Sequence, residues 1–478
     1  MGRFARRLDS GSVSDRFGRA RWTVTCLSWL IVACFALPGT ARAESLTPKV
    51  SPDRIADVPA TGVDPFPDFA NFSWRAFIAL NWPALTGAEH RGEPDRFKAF
   101  GDPGPRVWET FKSRSEVFQR GPDGHALVPA PWASYLGRNP CGPNVSNSTK
   151  TVAAFTPYAS FNQVTFKTGV FGSPLVAQNH TYTRYEVRVN RTEFDSIVAH
   201  QWYIRGKLPT VHKPGRFLPG SVEVKAAWRL LNDRDSAAVR RRYYVAHNAY
   251  VLDVAKSLRA GHPVCAPHDL ALVGLHIVIK TTYRPQWIWA SFEQVDNVPP
   301  AGKGAAREPD AKDAHVPYAY NNPALPQKLA AQPKPSVSMQ NPPKLDPEPT
   351  QVVRLHPINA DIMAMNRAYW ALPQIRNTVW RHYMLVTTQW PTTTVPDAPS
   401  NSGNPFPGGY VDPTKPVDVY QLPKNAGPPP ELANTTMETY LQAPQASCMA
   451  CHYQMSNARG SDFVTFMDND ANPAPNKP

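Results

Sequence analysis

Leu270-Ala271-Leu272-Val273-Gly274-Leu275-His276-Ile277-Val278-Ile279-Lys280 is an almost unbroken apolar run, broken only by Gly274 and His276 before its closing lysine. A run of this length, ending in β-branched residues, reads as a strand covered on both faces. Just downstream, Trp287, Trp289 and Ser291 point one way along an extended chain, and Ile288, Ala290 and Phe292 the other. Upstream, Tyr185-Glu186-Val187-Arg188-Val189-Asn190 and Val222-Glu223-Val224-Lys225-Ala226 alternate apolar and polar residues, the period of strands with one face buried. Together these runs predict a β-rich, sandwich-like body.

Helices are expected around it. Pro67 and Asp68 suit a helix start ahead of Phe69, Phe72, Phe77 and Leu80. A second candidate runs from Pro105 with Val107, Trp108 and Phe111 on one stripe, and Ile358, Ile362, Met365 and Tyr369 repeat at helical spacing further on. Asn434 or Thr435 is expected to cap a short helix running through Tyr440. The fold class is therefore α+β: a β-rich body, flanking helices and a helical C-terminal segment.

Proline punctuates this plan. The chain holds 52, crowded between Val298 and Thr350, between Pro391 and Pro430, and in the tail from Asp468 to Pro478. Such stretches read as long loops or extended wraps. The expected organisation is residues 1–43 as an export signal, 44–297 as the body with its N-terminal helices, 298–350 as a Pro-rich loop or linker, and 351–478 as a helical C-terminal region. The 13 tryptophans read as core and interface anchors.

The C-terminal region carries the chemistry. Cys448-Met449-Ala450-Cys451-His452 spells C-x-x-C-H, the pattern that attaches haem covalently. Each thiol adds to one haem vinyl group, the spacer sets the sulfurs about one helical turn apart, and the adjacent imidazole binds iron. A zinc site needs four ligands, and no second C-x-x-C or H-x-x-H pair accompanies this one. A redox C-x-x-C follows the first strand of a thioredoxin-like unit, whereas this one lies near the C-terminus. The expected cofactor is one haem c, with Cys448 and Cys451 as thioethers and His452 as the proximal iron ligand.

The N-terminus agrees with attachment outside the cytoplasm. Arg3, Arg6, Arg7, Arg16, Arg19 and Arg21 form a basic region, an apolar run spans Trp22 to Leu37, and Ala41-Arg42-Ala43 supplies a small-x-small cleavage site. The apolar run is short for a membrane span of about 20 residues, so a cleaved signal and a periplasmic protein are expected, with no transmembrane segment in the mature chain. Cleavage removes Cys26 and Cys34. With Cys448 and Cys451 committed to haem, Cys141 and Cys265 remain as a pair in an oxidising compartment, where a disulfide is the natural assignment. The formal charge of +13 falls to +8 once the arginine-rich leader is removed. That modest excess can steer an acidic redox partner, and no motif or dense basic block indicates nucleic acid.

Only 26 residues follow His452, so upstream residues must wall the haem. Met455 lies on the same proximal turn, and a helical turn keeps it from crossing the ring plane. Met467, 15 residues on, is within reach of the other face, although Phe463, Val464, Phe466 and Met467 equally suit a hydrophobic clamp. His276, His247, His356 and His382 are further candidates for the sixth position, and an open iron site is the last alternative.

Three functions fit these residues: one-electron transfer, a c-type haem enzyme of peroxidase or oxygenase type with an open iron site, or a binding module with an appended haem. The chain also resembles large bacterial proteins of the cytochrome c family that carry a single C-terminal haem motif. The resemblance rests on Gly274-Leu275-His276 through Arg284-Pro285-Gln286-Trp287-Ile288-Trp289 to Asp296-Asn297, and on Asn434-Thr435-Thr436-Met437-Glu438-Thr439-Tyr440 before the motif. It implies haem binding and electron transfer, carried onto Cys448, Cys451 and His452, and implies no substrate.

Overall fold

In a computed structural model of the chain, the described residues are 47–58, 66–135, 139, 141–142, 145, 157–163, 173–210, 213, 215–301, 316–328, 335–390, 434–442, 448, 452 and 460–467. The signal region with Cys26 and Cys34, the Pro391–Pro430 stretch, Cys451, Met455 and the Asp468–Pro478 tail lie outside them.

Seven strands form one antiparallel sheet: β1 (Lys112–Ser113), β2 (Arg184–Val189), β3 (Val222–Leu230), β4 (Val245–Leu252), β5 (Cys265–Ile279), β6 (Ile288–Gln294) and β7 (Tyr383–Gln389). Their order is β1-β2-β3-β5-β6-β7, with β4 pairing β5 off this path. The apolar run around Gly274 is the centre of β5. One edge of β5 pairs β3 from Leu270 to Ile279; the other is divided between β4, which takes Cys265–Ala271, and β6, which takes Gly274–Ile279. Flanked on both edges and covered on both faces, the Leu270–Ile279 part of β5 has almost no place for a solvated side chain, hence its continuous apolar sequence.

Cover on one face comes from helices. Phe292 of β6 shares a face with its cross-strand partner Leu275. It stacks on Phe77 at 4.3 Å and meets Trp74 edge-on at 5.3 Å, both from α1 (Phe66–Leu80). Trp74 also stacks on Tyr369 of α3 (Ala360–Trp370) at 4.8 Å and donates its indole N–H to Asn366 at 2.9 Å. Asn366 in turn pairs with both the N–H and the carbonyl of Leu385, stitching α3 to β7. Full burial of each such aromatic contributes about 2–3 kcal/mol. A third helix, α2 (Arg191–Ala199), follows β2 and is capped by Asn190.

The fold is thus α+β and β-rich, as the alternation implies. The second layer consists of helices and loops, and the described residues hold one sheet. Two local expectations change. The stripe after Pro105 closes as a single 3₁₀ turn, Val107–Thr110, flanked by Gly101, Pro103 and Gly104 and closed by a box between Arg106 and Glu109. The segment from Asn434 to Tyr440 is a series of turns, because its polar side chains bond to the sheet instead of capping a helix.

β7 lies beyond the Pro-rich 298–350 stretch yet belongs to the same sheet, and Val298, Tyr320 and Val352 sit in a shared secondary core with Leu175, Ala227 and Val273. No helix among the described residues is long and apolar enough to cross a membrane. Cys141 and Cys265 form a disulfide with Sγ–Sγ 2.05 Å, closing a loop of 124 residues onto the first residue of β5. Replacing both by serine is expected to lower stability by about 2–4 kcal/mol in denaturant titrations. Reductant should lower the wild-type midpoint similarly; a wild type indifferent to reductant rules the crosslink out.

Candidate functional site

The second face of the sheet is of a different character. Direct cross-strand partners share a face, so three rows can be read across it. One row is Tyr185, Ala227, Gly274, Glu293 and Met384; the next is Val187, Lys225, His276, Ser291 and Thr387; the third is Val189, Glu223, Val278, Trp289 and Gln389. Charged groups in a sheet centre are costly unless matched. Here the C-terminal segment supplies the matches.

Glu293 is fully buried and is the anchor of that segment. Its carboxylate accepts from the Thr435 backbone N–H at 2.7 Å, the Thr435 hydroxyl at 2.5 Å and the Arg354 guanidinium at 2.7 Å. Beside it, Asn434 donates to Ser291 Oγ and to the Phe292 carbonyl, and its side-chain oxygen accepts from both N–H and hydroxyl of Thr436. Tyr185 donates to the Thr436 carbonyl at 2.7 Å. Thr439 donates its N–H to Gln163, whose own carbonyl accepts from Lys225. The turn runs directly over Gly274, where a Cβ would overlap Thr436 Oγ1 and crowd Met437 at 3.2 Å.

Glu438 leaves this turn toward the middle row. Its carboxylate accepts from the Asn434 N–H at 3.1 Å and stands 3.4 Å from His276 Nε2. Burial raises the Glu438 carboxyl, but His276 and Lys225 outweigh burial and hold it below the ordinary carboxylate range.

His452 meets the third row. Its ring lies 4.5 Å from that of Trp289, tilted by 55°, and its Nδ1 donates to the Phe463 carbonyl at 3.0 Å. Cys448 and His452 both lie in helical backbone, four residues apart, and Cys448 packs against the main hydrophobic core. Burial is the main cause that pushes the His452 imidazole down to about 4; Lys225 and His276 add to the depression, and the Phe463 carbonyl and Glu438 oppose it.

A tight turn presents the Phe463 carbonyl, with Gly460, Asp462 and Phe463 all at positive φ (66°, 55° and 68°). Asp462 fixes that turn: it pairs with Lys280 at 3.1 Å, accepts from Phe217 N–H at 2.9 Å, and receives the Trp287 indole on its carbonyl at 2.9 Å. Phe463, Val464, Phe466 and Met467 are all buried in the main core, with Phe466 against Phe118 at 5.2 Å.

The other candidate histidines stand elsewhere. His247 is 71% exposed and pairs with Asp269 at 3.1 Å, His356 contacts the Gln442 carbonyl at 3.3 Å, and His382 ends a 3₁₀ turn before β7. The residues missed by sequence reading are those that hold the segment: Glu293, Arg354, Ser291, Tyr185 and Trp289. One signal was available, since Glu293 is a charge inside the otherwise strand-like Ile288–Gln294. Among the described residues, no group of three His, Cys, Asp or Glu side chains is arranged to hold a metal ion.

The donor set suits a covalently held haem. Where an imidazole binds iron, the other ring nitrogen is normally held by a carbonyl or carboxylate; His452 Nδ1 has the Phe463 carbonyl in that role. A metal-binding role would fall to Nε2, with Cys448 four residues earlier, both residues in helical backbone. In comparison with known proteins, the chain matches no family model, no curated protein and no solved structure.

Two expected outcomes test this arrangement. Gly274→Ala should cost about 1–3 kcal/mol by displacing the Asn434–Met437 turn, read as a lower melting temperature; an unchanged value means that the turn does not press on β5. Glu193, in the first turn of α2, is fully buried, and neither carboxylate oxygen has a hydrogen-bond partner among the described residues. Burial, then Glu223 and Asp462, raise its carboxyl well above the ordinary value. Below pH about 4.5 the group is protonated folded and unfolded alike; above it the unfolded chain ionises first, so stability is lost as pH rises. Glu193→Gln should therefore gain on wild type as pH increases from 4 to 8. A variant less stable than wild type at pH 8 would show that Glu193 is ionised and paired.

Proposed function

We propose that this chain is an exported, periplasmic monohaem c-type cytochrome of the cytochrome c family that transfers single electrons. Cys448 and Cys451 form the thioethers, and His452 Nε2 binds the iron. The observation that carries the reading is the His452 contact with the Phe463 carbonyl: a proximal imidazole needs its second nitrogen held, and here a turn locked by the Lys280–Asp462 pair holds it. Haem c, when bound, supplies a one-electron iron couple.

The chain's own residues then have defined tasks. The Trp289 indole and the Phe463 carbonyl fix the plane and tilt of the His452 ring. Lys225 and Glu438 place charge against the same sheet face, in a setting where low polarity lengthens electrostatic reach. The basic excess of the mature chain favours an acidic redox partner.

Expression with a haem-maturation system tests the reading. The wild type should retain haem through denaturing electrophoresis and be reduced and reoxidised reversibly. Cys448→Ser and Cys451→Ser should each weaken or abolish covalent retention, and His452→Ala should disturb or erase the low-spin spectrum. Covalent haem that survives loss of both cysteines overturns the assignment, and iron that is reduced but cannot be reoxidised overturns electron transfer.

A further inference from the structure

Away from the C-terminal segment the chain encloses a cleft of about 890 Å³, and none of the described residues from Asn434 onward lines it. Its walls come from the Pro103–Glu116 stretch around the 3₁₀ turn and from Arg240–His247, where β4 begins. Arg188 reaches it from β2, in the cross-strand row of Val224 and Ile277, on the face opposite Lys225 and His276. A volume of this size is that of a site for a drug-sized organic molecule.

The charges of the wall are unequal. Arg106, Arg188, Arg240 and Arg241 line the cleft against Glu109, Glu116 and Asp269. Each of these carboxylates is already engaged. Glu116 takes Arg91 at 2.7 Å and stands 3.6 Å from Lys112. Asp269 has His247 at 3.1 Å and Arg240 at 3.6 Å, and Glu109 accepts from the Tyr244 hydroxyl and from the Arg106 N–H. Arg188 is paired with Glu186 at 2.8 Å. Counting these ion-pair partners with the lining, six Lys and Arg side chains face four carboxylates, so the cleft is short of two negative charges. Arg241 shows where one belongs: it is exposed, and its guanidinium has neither a hydrogen bond nor an ion pair. Arg106 is 3% exposed, and its guanidinium donates to the backbone carbonyls of Asn81, Phe100 and Asp102, with no carboxylate paired to it.

We propose that this cleft binds a small organic anion, an aromatic carboxylate, with its charge on Arg241 and its ring on the apolar wall of Leu85, Pro103, Pro105 and Val379; this stands apart from the haem reading. A guanidinium fork matches a carboxylate with two parallel hydrogen bonds, which a neutral ligand cannot repay. Tyr244 and Tyr135 add ring surface beside this wall, and their own cation contacts, Arg106 at 4.8 Å and Arg91 at 4.0 Å, keep both rings in place.

Isothermal titration calorimetry of the mature full chain tests the assignment, with 2-naphthoate as the probe and 2-naphthylmethanol as its neutral counterpart. The carboxylate should bind saturably at one site per chain, at least tenfold more tightly than the alcohol, and more weakly as salt is raised. Arg241→Glu should weaken 2-naphthoate at least tenfold with an unchanged melting temperature, since the wild-type side chain has no partner to lose. Absence of saturable heat with 2-naphthoate overturns the proposal, and so does equal affinity for the two probes. Full affinity retained in Arg241→Glu overturns it as well, because the anion then sits elsewhere. The two-probe comparison on wild type needs no variant to fold.

Discussion

The buried carboxylate of Glu293 is the interaction on which the rest of the site depends. It sits in the centre of a seven-stranded sheet and is balanced by Arg354 at 2.7 Å and by two donors from Thr435. Removing one partner of a buried pair leaves an uncompensated charge, at a cost of about 3–5 kcal/mol. The Asn434–Thr439 turn is therefore more than a surface strap, because leaving the sheet would strip Glu293 of half its ligands. That obligation holds the chain in register just before the C-x-x-C-H motif. Gly274 is the geometric counterpart, since only a residue without a Cβ lets the turn lie this close to β5.

The two faces of the sheet divide the work. On one, Phe292, Leu275 and their neighbours meet the aromatics of α1 and α3, and burial of apolar area supplies the stability. The other carries Lys225, His276, Glu223 and Glu293, with Glu193, Asp462, Lys280 and Glu438 brought to it by α2, the Phe217–Trp287 region and the C-terminal turns. Such a face adds little net stability, since desolvation offsets most of the pairing. What it provides is fixed charge in a region of low polarity, where electrostatic interactions are strong. A sheet with this asymmetry is stable through one face and chemically equipped on the other.

Much of the frame was legible in the sequence. The four strand runs read from alternation and continuity became β2, β3, β5 and β6, because hydrophobic period reports how many faces are covered. Phe69, Phe72 and Phe77 announced α1, and Ile362 and Tyr369 announced α3. The stripe after Pro105 misled, since helical spacing of Val107, Trp108 and Phe111 is also met by one 3₁₀ turn and its cap, which bury all three, with Trp108 bonded to Asn81. Asn434 and Thr435 misled for another reason: capping residues are generic hydrogen-bonding groups, and here Ser291 and Glu293 outcompete a helix terminus for them. Tyr185 and Gln163 could not be recognised at all, because they meet the C-terminal segment across separations of 251 and 276 residues, and Arg354 reaches Glu293 across 61, none of which a local pattern encodes.

These separations bear on why so large a body precedes one haem motif. The proposed site draws His452 and Cys448 from the C-terminus, Trp289 from β6 and, through Phe463 and Asp462, a turn tied to Lys280 and Phe217. No contiguous piece of the chain contains these parts, and a haem-bearing module cut from the last hundred residues would lack Trp289 and Lys280. A body that merely displayed an attached haem would not need to place a carboxylate and a lysine on the face that His452 contacts. Because these groups converge only in the folded chain, binding that favours the folded state must also stabilise the body by linkage.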